Sequence, residues 1–282
     1  MPTKGRAQAC VAVIAGDRMF VVDAGAGSAG VAAVGRTPLE DLEAVLLTHF
    51  HSDHIAALYD FNLNSWVAGR SAPLTVLGPV GVDQIVEGMN DAYALDRGYR
   101  VAHHGADLLP PELGVMRSRV IEPGLVLEDD GLRITAFPVN HAPVAPTVGY
   151  RFEYRGRSVA VSGDAVVDDG LREGVRGVDL LLQDAIALPI VTSLERANAE
   201  LGIRRMEKIL HDIQDYHAPT GSLDELVDEL GVSMLAIYHL VPPPRGKFMK
   251  RIFRRDLPPG TLLTEDGMMF DLPADSDEIA VR

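Results

Sequence analysis

The stretch Thr48-His49-Phe50-His51-Ser52-Asp53-His54 places three imidazoles and one carboxylate within seven consecutive residues. Imidazole nitrogens and carboxylate oxygens are the ligands of zinc and of other divalent first-row metals. In a loop, His49 and His51 can turn toward one cation while Asp53 and His54 turn toward a second. A tetrahedral zinc needs more donors than this stretch supplies, so the rest must come from elsewhere in the chain. His141, Asp164 and His239 are the candidates, because each stands just beyond a short apolar, strand-like run. Cys10 is the only cysteine, which excludes an internal disulfide and a thiolate cluster and leaves histidine and carboxylate as the ligands.

Strand ends must position these side chains. Alternating or β-branched apolar runs predict strands at 10–15, 19–23, 44–47, 74–77, 132–137, 147–154, 158–162, 178–182 and 233–238. Helical periodicity predicts helices at 54–66, 82–96, 194–215 and 223–230. Ser222 and Glu225 have the spacing of a capping box for the last of these. Residues 99–118 are polar and Pro-rich and are expected to form a surface excursion containing His103 and His104. No linker divides the chain, so a single domain over residues 1–282 is expected.

Composition narrows the partners. No apolar run reaches the ~18–20 residues that a membrane span requires. Lys4 and Arg6 before an apolar run resemble a short leader, but Gly16-Asp17-Arg18 and the apolar run after it fit a hairpin better, so a cytoplasmic protein is expected. The net charge of −14 disfavours general attraction to nucleic acid. Residues 245–255 are the exception, with six cations in eleven positions, and are expected to form a solvated basic face on a short helix.

The order H-x-H-x-D-H, a later histidine, Ser162-Gly163-Asp164 and a final histidine resembles the metallo-β-lactamase superfamily, and Val22-Asp23-Ala24-Gly25 is similar to the D-x-G turn that the family places beneath its metals. The resemblance implies an α/β fold: a four-layer αβ/βα sandwich of two mixed β-sheets flanked by helices. It also implies two Zn²⁺ ions, Mn²⁺ and Fe²⁺ accepting similar ligands. One ion would be held by His49, His51 and His141, the other by Asp53, His54 and His239, with Asp164 bridging both. A shared water would then ionise near ~7 and act as the nucleophile, with Asp53 orienting it.

Within the superfamily the chain resembles the ribonuclease Z branch. Leu182-Gln183-Asp184-Ala185 is similar to its H-E-A-T motif, and His217-Ala218-Pro219-Thr220 to its H-S-T loop. The resemblance implies that Asp184 orients His217, which donates a proton to a leaving oxygen or stabilises phosphoryl charge. An exposed loop histidine is the alternative reading of His217. That branch carries a flexible RNA-gripping arm between the later histidine and the bridging aspartate, whereas only 22 residues separate His141 from Asp164 here, and a hairpin turning at Arg155-Gly156 consumes most of them. The family's opening Gly-Thr-Gly strand is also absent, so an edge strand is missing or supplied differently. The expected substrate is therefore a small phosphodiester, with large RNA unfavoured. The alternatives are a carbonyl or sulfate ester (lactone, β-lactam, arylsulfate), or 3′-processing of transfer RNA with RNA held by residues 245–255. A homodimer is compatible with the resemblance.

Overall fold

The computed structural model describes residues 3–282. They cluster into two units, residues 3–122 and 123–282. In the first unit, the two-residue turn Gly16-Asp17, with Gly16 at φ 70°, joins β1 (Val11–Ala15) to β2 (Arg18–Val22) as the expected hairpin. Helix α1 (Ser28–Val34) leads to β3 (Leu42–Leu46). Helices α2 (Ser52–Ile55) and α3 (Leu58–Ala68) then lead to β4 (Thr75–Gly78). Helices α4 (Val82–Ala92) and α5 (Ala94–His104) precede β5 (Arg117–Val120). The sheet order is β1-β2-β3-β4-β5, antiparallel only at the first pair. Parallel strands need helical crossovers and read as apolar runs. Val21, Val45 and Val76 accordingly pack in one core with Leu58 and Phe61 of α3 and Val82 and Val86 of α4.

The second unit opens with the antiparallel meander β6 (Gly124–Asp129), β7 (Leu132–Pro138), β8 (Val148–Tyr154) and β9 (Arg157–Val161). The β8–β9 turn is Arg155-Gly156, both at positive φ, as the two-residue hairpin requires. After α6 (Asp169–Val175), the sheet becomes parallel with β10 (Leu180–Ile186). Helices α7 (Leu188–Glu200), α8 (Arg204–Asp212) and α9 (Asp224–Asp228) precede β11 (Met234–Val241), and α10 (Gly246–Arg255) precedes β12 (Leu262–Leu263). The seven strands run in the order β12-β11-β10-β9-β8-β7-β6, while β13 (Phe270–Asp271) and β14 (Ala280–Val281) form a separate antiparallel pair. Leu181, Ala185, Leu235 and Ile237 share a core with Leu171, Val175, Leu226 and Phe253. Two mixed sheets with accompanying helices agree with the expected α/β class.

Several local expectations differ: the helices expected at 54–66 and 82–96 are each divided, into α2 with α3 and into α4 with α5. The helix expected at 194–215 is two helices, because Gly202 at φ 70° ends α7 and Ile203 N–H closes back onto Asn198 O at 2.9 Å. The capping box does not form: the Ser222 hydroxyl donates to Pro219 O instead, and α9 starts at Asp224 without a side-chain cap. Residues 99–118 are no free excursion, since α5 takes the first part and β5 the end. The connection between them is tied to α3, where Asn62 donates to Gly114 O and Trp66 to Pro110 O, and to buried Arg70 just beyond that helix, which donates to Leu113 O. Burial of Arg70 lowers its pKa to about 10. No helix among the described residues is long and apolar enough to cross a membrane.

Candidate metal centre

In open α/β sheets, chemistry gathers beyond the carboxyl ends of the strands, and both units follow this rule. In the first, β3 delivers Leu47, Thr48 and His49, and the short α2 carries Asp53 and His54. The turn after β2 supports them from below. Asp23 holds the left-handed conformation at φ 58°, which aspartate tolerates better than bulkier residues. Its carboxylate is fully buried and accepts from Thr48 N–H at 2.9 Å, from the Thr48 hydroxyl at 2.9 Å, and from His54 Nδ1–H at 2.8 Å. Gly25 completes the turn, since a Cβ there would stand 2.2 Å from the carbonyl oxygen of Asp53. Ala24 N–H reaches His54 O at 2.6 Å and Ala57 N–H reaches Ala24 O at 2.8 Å, so the turn and α2 are fixed together.

The hydrogen bonds decide which ring nitrogens remain for a cation. The Thr48 hydroxyl spends its only proton on Asp23, so at 3.0 Å it accepts from His49 Nδ1–H. His49 thus presents the lone pair of Nε2, and His54, its Nδ1 proton given to Asp23, does the same. A carboxylate or hydroxyl behind the imidazole is the usual support of a metal-ligating histidine. His49 Nε2 and His51 Nδ1 lie 3.0 Å apart, close to the ~3.3 Å expected of two nitrogens about 2.0–2.1 Å from one tetrahedral ion. This donor set fits a divalent metal. Asp53 sits half-buried in the first turn of α2.

In the second unit, His141 follows β7, Asp164 follows β9 through Gly163 at φ 69°, Asp184 lies on β10 and His239 on β11. The β10–β11 register slips by one residue, pairing Gln183 with Ile237 but Asp184 with His239. A bulge of this kind re-aims a side chain beside an active site, and here it brings His239 level with Asp184. His217 arrives from a loop pinned to the end of β10, where Ile186 N–H bonds Ala218 O at 2.7 Å. Donor atoms of Asp164, Asp184, His217 and His239 all fall within 4.8 Å of one another. Asp164 Oδ1 is 3.2 Å from His239 Nδ1, and its Oδ2 is 4.0 Å from His141 Nε2. His141 donates Nδ1–H to Tyr216 O at 2.8 Å, which turns Nε2 toward Asp164.

His217 is 5% exposed and donates Nδ1–H to Asp184 Oδ2 at 2.9 Å, so the exposed-loop alternative does not describe it. The other Asp184 oxygen accepts from Gln183 Nε2 at 2.8 Å and Ala165 N–H at 3.1 Å. Burial pushes the Asp184 carboxyl above its ordinary value; the His217 hydrogen bond opposes this and the nearby Asp164 adds to it. Two supporting groups escaped the sequence reading. The Tyr216 carbonyl belongs to the backbone and leaves no trace in residue type, whereas Gln183, a polar residue inside the fully buried run of β10, was a signal to follow. His103, His104 and His211 join no histidine–carboxylate metal cluster among the described residues, and His211 pairs with Glu195 at 3.1 Å.

Residues 18–240 match the family model described as beta-lactamase superfamily domain. The chain is 37% identical over 245 residues to the ribonuclease Z of Mycobacterium bovis (strain BCG / Pasteur 1173P2), covering 86% of this chain and 82% of the relative. It is equally similar to the ribonuclease Z of Mycobacterium marinum, with 86% and 83% covered. Among solved structures, a metallo-beta-lactamase fold protein from Bacillus subtilis aligns with TM-score 0.65 at 17% identity, over 94% of this chain and 92% of that one. The human tRNase Z short form aligns with TM-score 0.64 at 18% identity, over 96% and 95%. Relatives named ribonuclease Z overturn the expectation of a small-molecule ester substrate with large RNA unfavoured. The physical reason is that a net charge is a sum over the whole chain, whereas a phosphate feels the charges within about 10 Å. The short His141–Asp164 interval removes one gripping device and says nothing of others.

Proposed function

Because the chain belongs to the beta-lactamase superfamily and is a metal-dependent hydrolase of the ribonuclease Z type, we propose that it cleaves a phosphodiester bond in precursor transfer RNA with two zinc ions. The RNA substrate is supported by 37% identity to ribonuclease Z over 82% of that relative's length. The seven proposed ligands are His49, His51, Asp53, His54, His141, Asp164 and His239, and the family match across residues 18–240 supports reading both units as one functional domain. When bound, the metals supply Lewis-acid activation of water and of the scissile phosphoryl group. A substrate of this class makes the protein cytoplasmic in this reading.

The protein's own groups then handle orientation and protons. The observation that carries the phosphodiester chemistry is the buried His217–Asp184 pair at 2.9 Å. Asp184 fixes the His217 tautomer with the proton on Nδ1, so Nε2 is the atom that meets the substrate. A protonated Nε2 gives its proton to the leaving ribose oxygen as the P–O bond breaks. Tyr216 O and Asp23 hold His141 and His54 in the tautomers a metal needs.

The test is cleavage of a 3′-extended precursor transfer RNA by the full chain. Wild type is expected to cut it, to lose activity to a chelator, and to regain it with Zn²⁺, and metal analysis is expected to find two equivalents. His217→Ala is expected to lower kcat about 10²-fold or more while retaining both metals. An intact precursor with metal-loaded wild type would sink the substrate; full activity in His217→Ala would sink the proton donor.

A further inference from the structure

Helix α10 lies beyond the family match, which ends at residue 240. It separates its residues by character. Phe253 is fully buried in the core of its unit, and Met249 and Ile252 pack against the same core, so one face anchors the helix. Lys247, Lys250, Arg251 and Arg254, at helical spacings of three and four, occupy the opposite face, and all are exposed, as is Arg245 just before the helix. Lys250 is paired with Glu265 at 2.6 Å and Arg255 with Asp256 at 2.9 Å. Arg245, Lys247, Arg251 and Arg254 enter no salt bridge among the described residues. Four uncompensated cations thus remain on one short segment of a chain whose net charge is −14. Phe248 stands beside them at 76% exposure.

We propose that α10 is a subsite for the phosphate backbone of RNA, with Arg245, Lys247, Arg251 and Arg254 holding phosphates and Phe248 stacking on an unpaired base. This rests on the reading of the chain as a ribonuclease and says how the acidic molecule holds its substrate. The run from Lys247 to Arg254 covers about 10 Å of helix, roughly three steps of ~3.4 Å along one strand of a duplex. An exposed aromatic among arginines and lysines is the pattern of single-stranded recognition, where stacking supplements charge. A membrane surface is the weaker fit. Interfacial helices insert an apolar face, and here Met249, Ile252 and Phe253 are committed to the protein core. The subsite is also tethered near the chemistry, since only six residues lie between His239 and Gly246, a reach of at most about 25 Å.

The test compares the full-length wild type with Lys247→Ala/Arg251→Ala/Arg254→Ala and with the charge-conserving Lys247→Arg/Arg251→Lys/Arg254→Lys, using a 3′-extended precursor transfer RNA. The neutral triple variant is expected to raise KM about tenfold or more with kcat at saturation within about twofold, and to reduce the slope of log Kd against log salt by about 2–3. The charge-conserving variant is expected to behave as wild type, and Phe248→Ala to raise Kd without changing the salt slope. Unchanged KM and slope in the neutral variant would overturn the subsite while leaving the ribonuclease reading intact. So would a defect that the charge-conserving variant shares, or cation-dependent binding to phosphatidylserine vesicles with RNA affinity unmoved. Wild type that neither binds nor cuts the RNA overturns the ribonuclease reading itself, and α10 with it.

Discussion

Asp184 carries the acid–base chemistry without touching the substrate in the proposed reaction. Its two oxygens accept from His217, Gln183 and Ala165 in full burial, so its charge is consumed in orienting one imidazole. Asparagine at this position keeps the size but can offer His217 Nδ1 an N–H, which favours the wrong tautomer. Asp184→Asn is therefore expected to lower kcat by up to about 10⁴-fold, the loss seen when an orienting carboxylate behind a catalytic histidine is made neutral, with KM for RNA little changed. Steady-state kinetics on the precursor checks this; a rise in KM with kcat intact would mean that Asp184 serves binding instead.

At the scale of elements, tight turns and a bulge place the proposed ligands. Gly25→Ala puts a methyl 2.2 Å from a backbone oxygen of α2, and neither the turn nor the helix can yield without disturbing Asp23. The expected loss is about 1–3 kcal/mol of stability, read by denaturant melts, together with weaker metal retention. Asp179, in the turn leading into β10, is a second junction. Partial burial raises its pKa, but the Ser158 hydroxyl and N–H at 2.9 and 2.7 Å and the Arg157 guanidinium more than offset this, and the carboxyl ends below its ordinary value. A depressed carboxyl stabilises the fold above its unfolded pKa of about 3.9, and this contribution is lost as pH falls through the folded value. Asp179→Asn is expected to melt below wild type at pH 7, with the gap closing below about pH 4. A gap that stays constant with pH would show that the ion pair is not its source.

For the whole molecule, metal binding is expected to link chemistry to stability. Asp164 and Asp184 lie in one buried cluster, and a bound cation relieves the repulsion between them. Chelation is expected to lower Tm and metal to restore it, with a stabilisation of about 4 kcal/mol at a free metal concentration a thousandfold above Kd. Equal melting with and without chelator would contradict this. Much of that picture was legible in residue order alone. The H-x-H-x-D-H stretch, Ser162-Gly163-Asp164 and the strands preceding them could be read because a metal demands particular donor atoms and because β-strands carry a period in their apolar residues, whereas the His217 loop was reached only through its resemblance to a family motif. The β10–β11 register slip, the Tyr216 carbonyl behind His141, the Thr48 relay from His49 to Asp23 and the failure of the Ser222 cap could not. They depend on backbone groups and on which partner wins a shared proton, and backbone atoms are the same in every residue. Charge was legible as a total of −14 and misleading in that form. The basic run at 245–255 was legible beside that total, as was its place on a short helix; only the tertiary structure decided that its apolar face enters the core and that Lys250 and Arg255, but not the other four cations, meet an acidic partner.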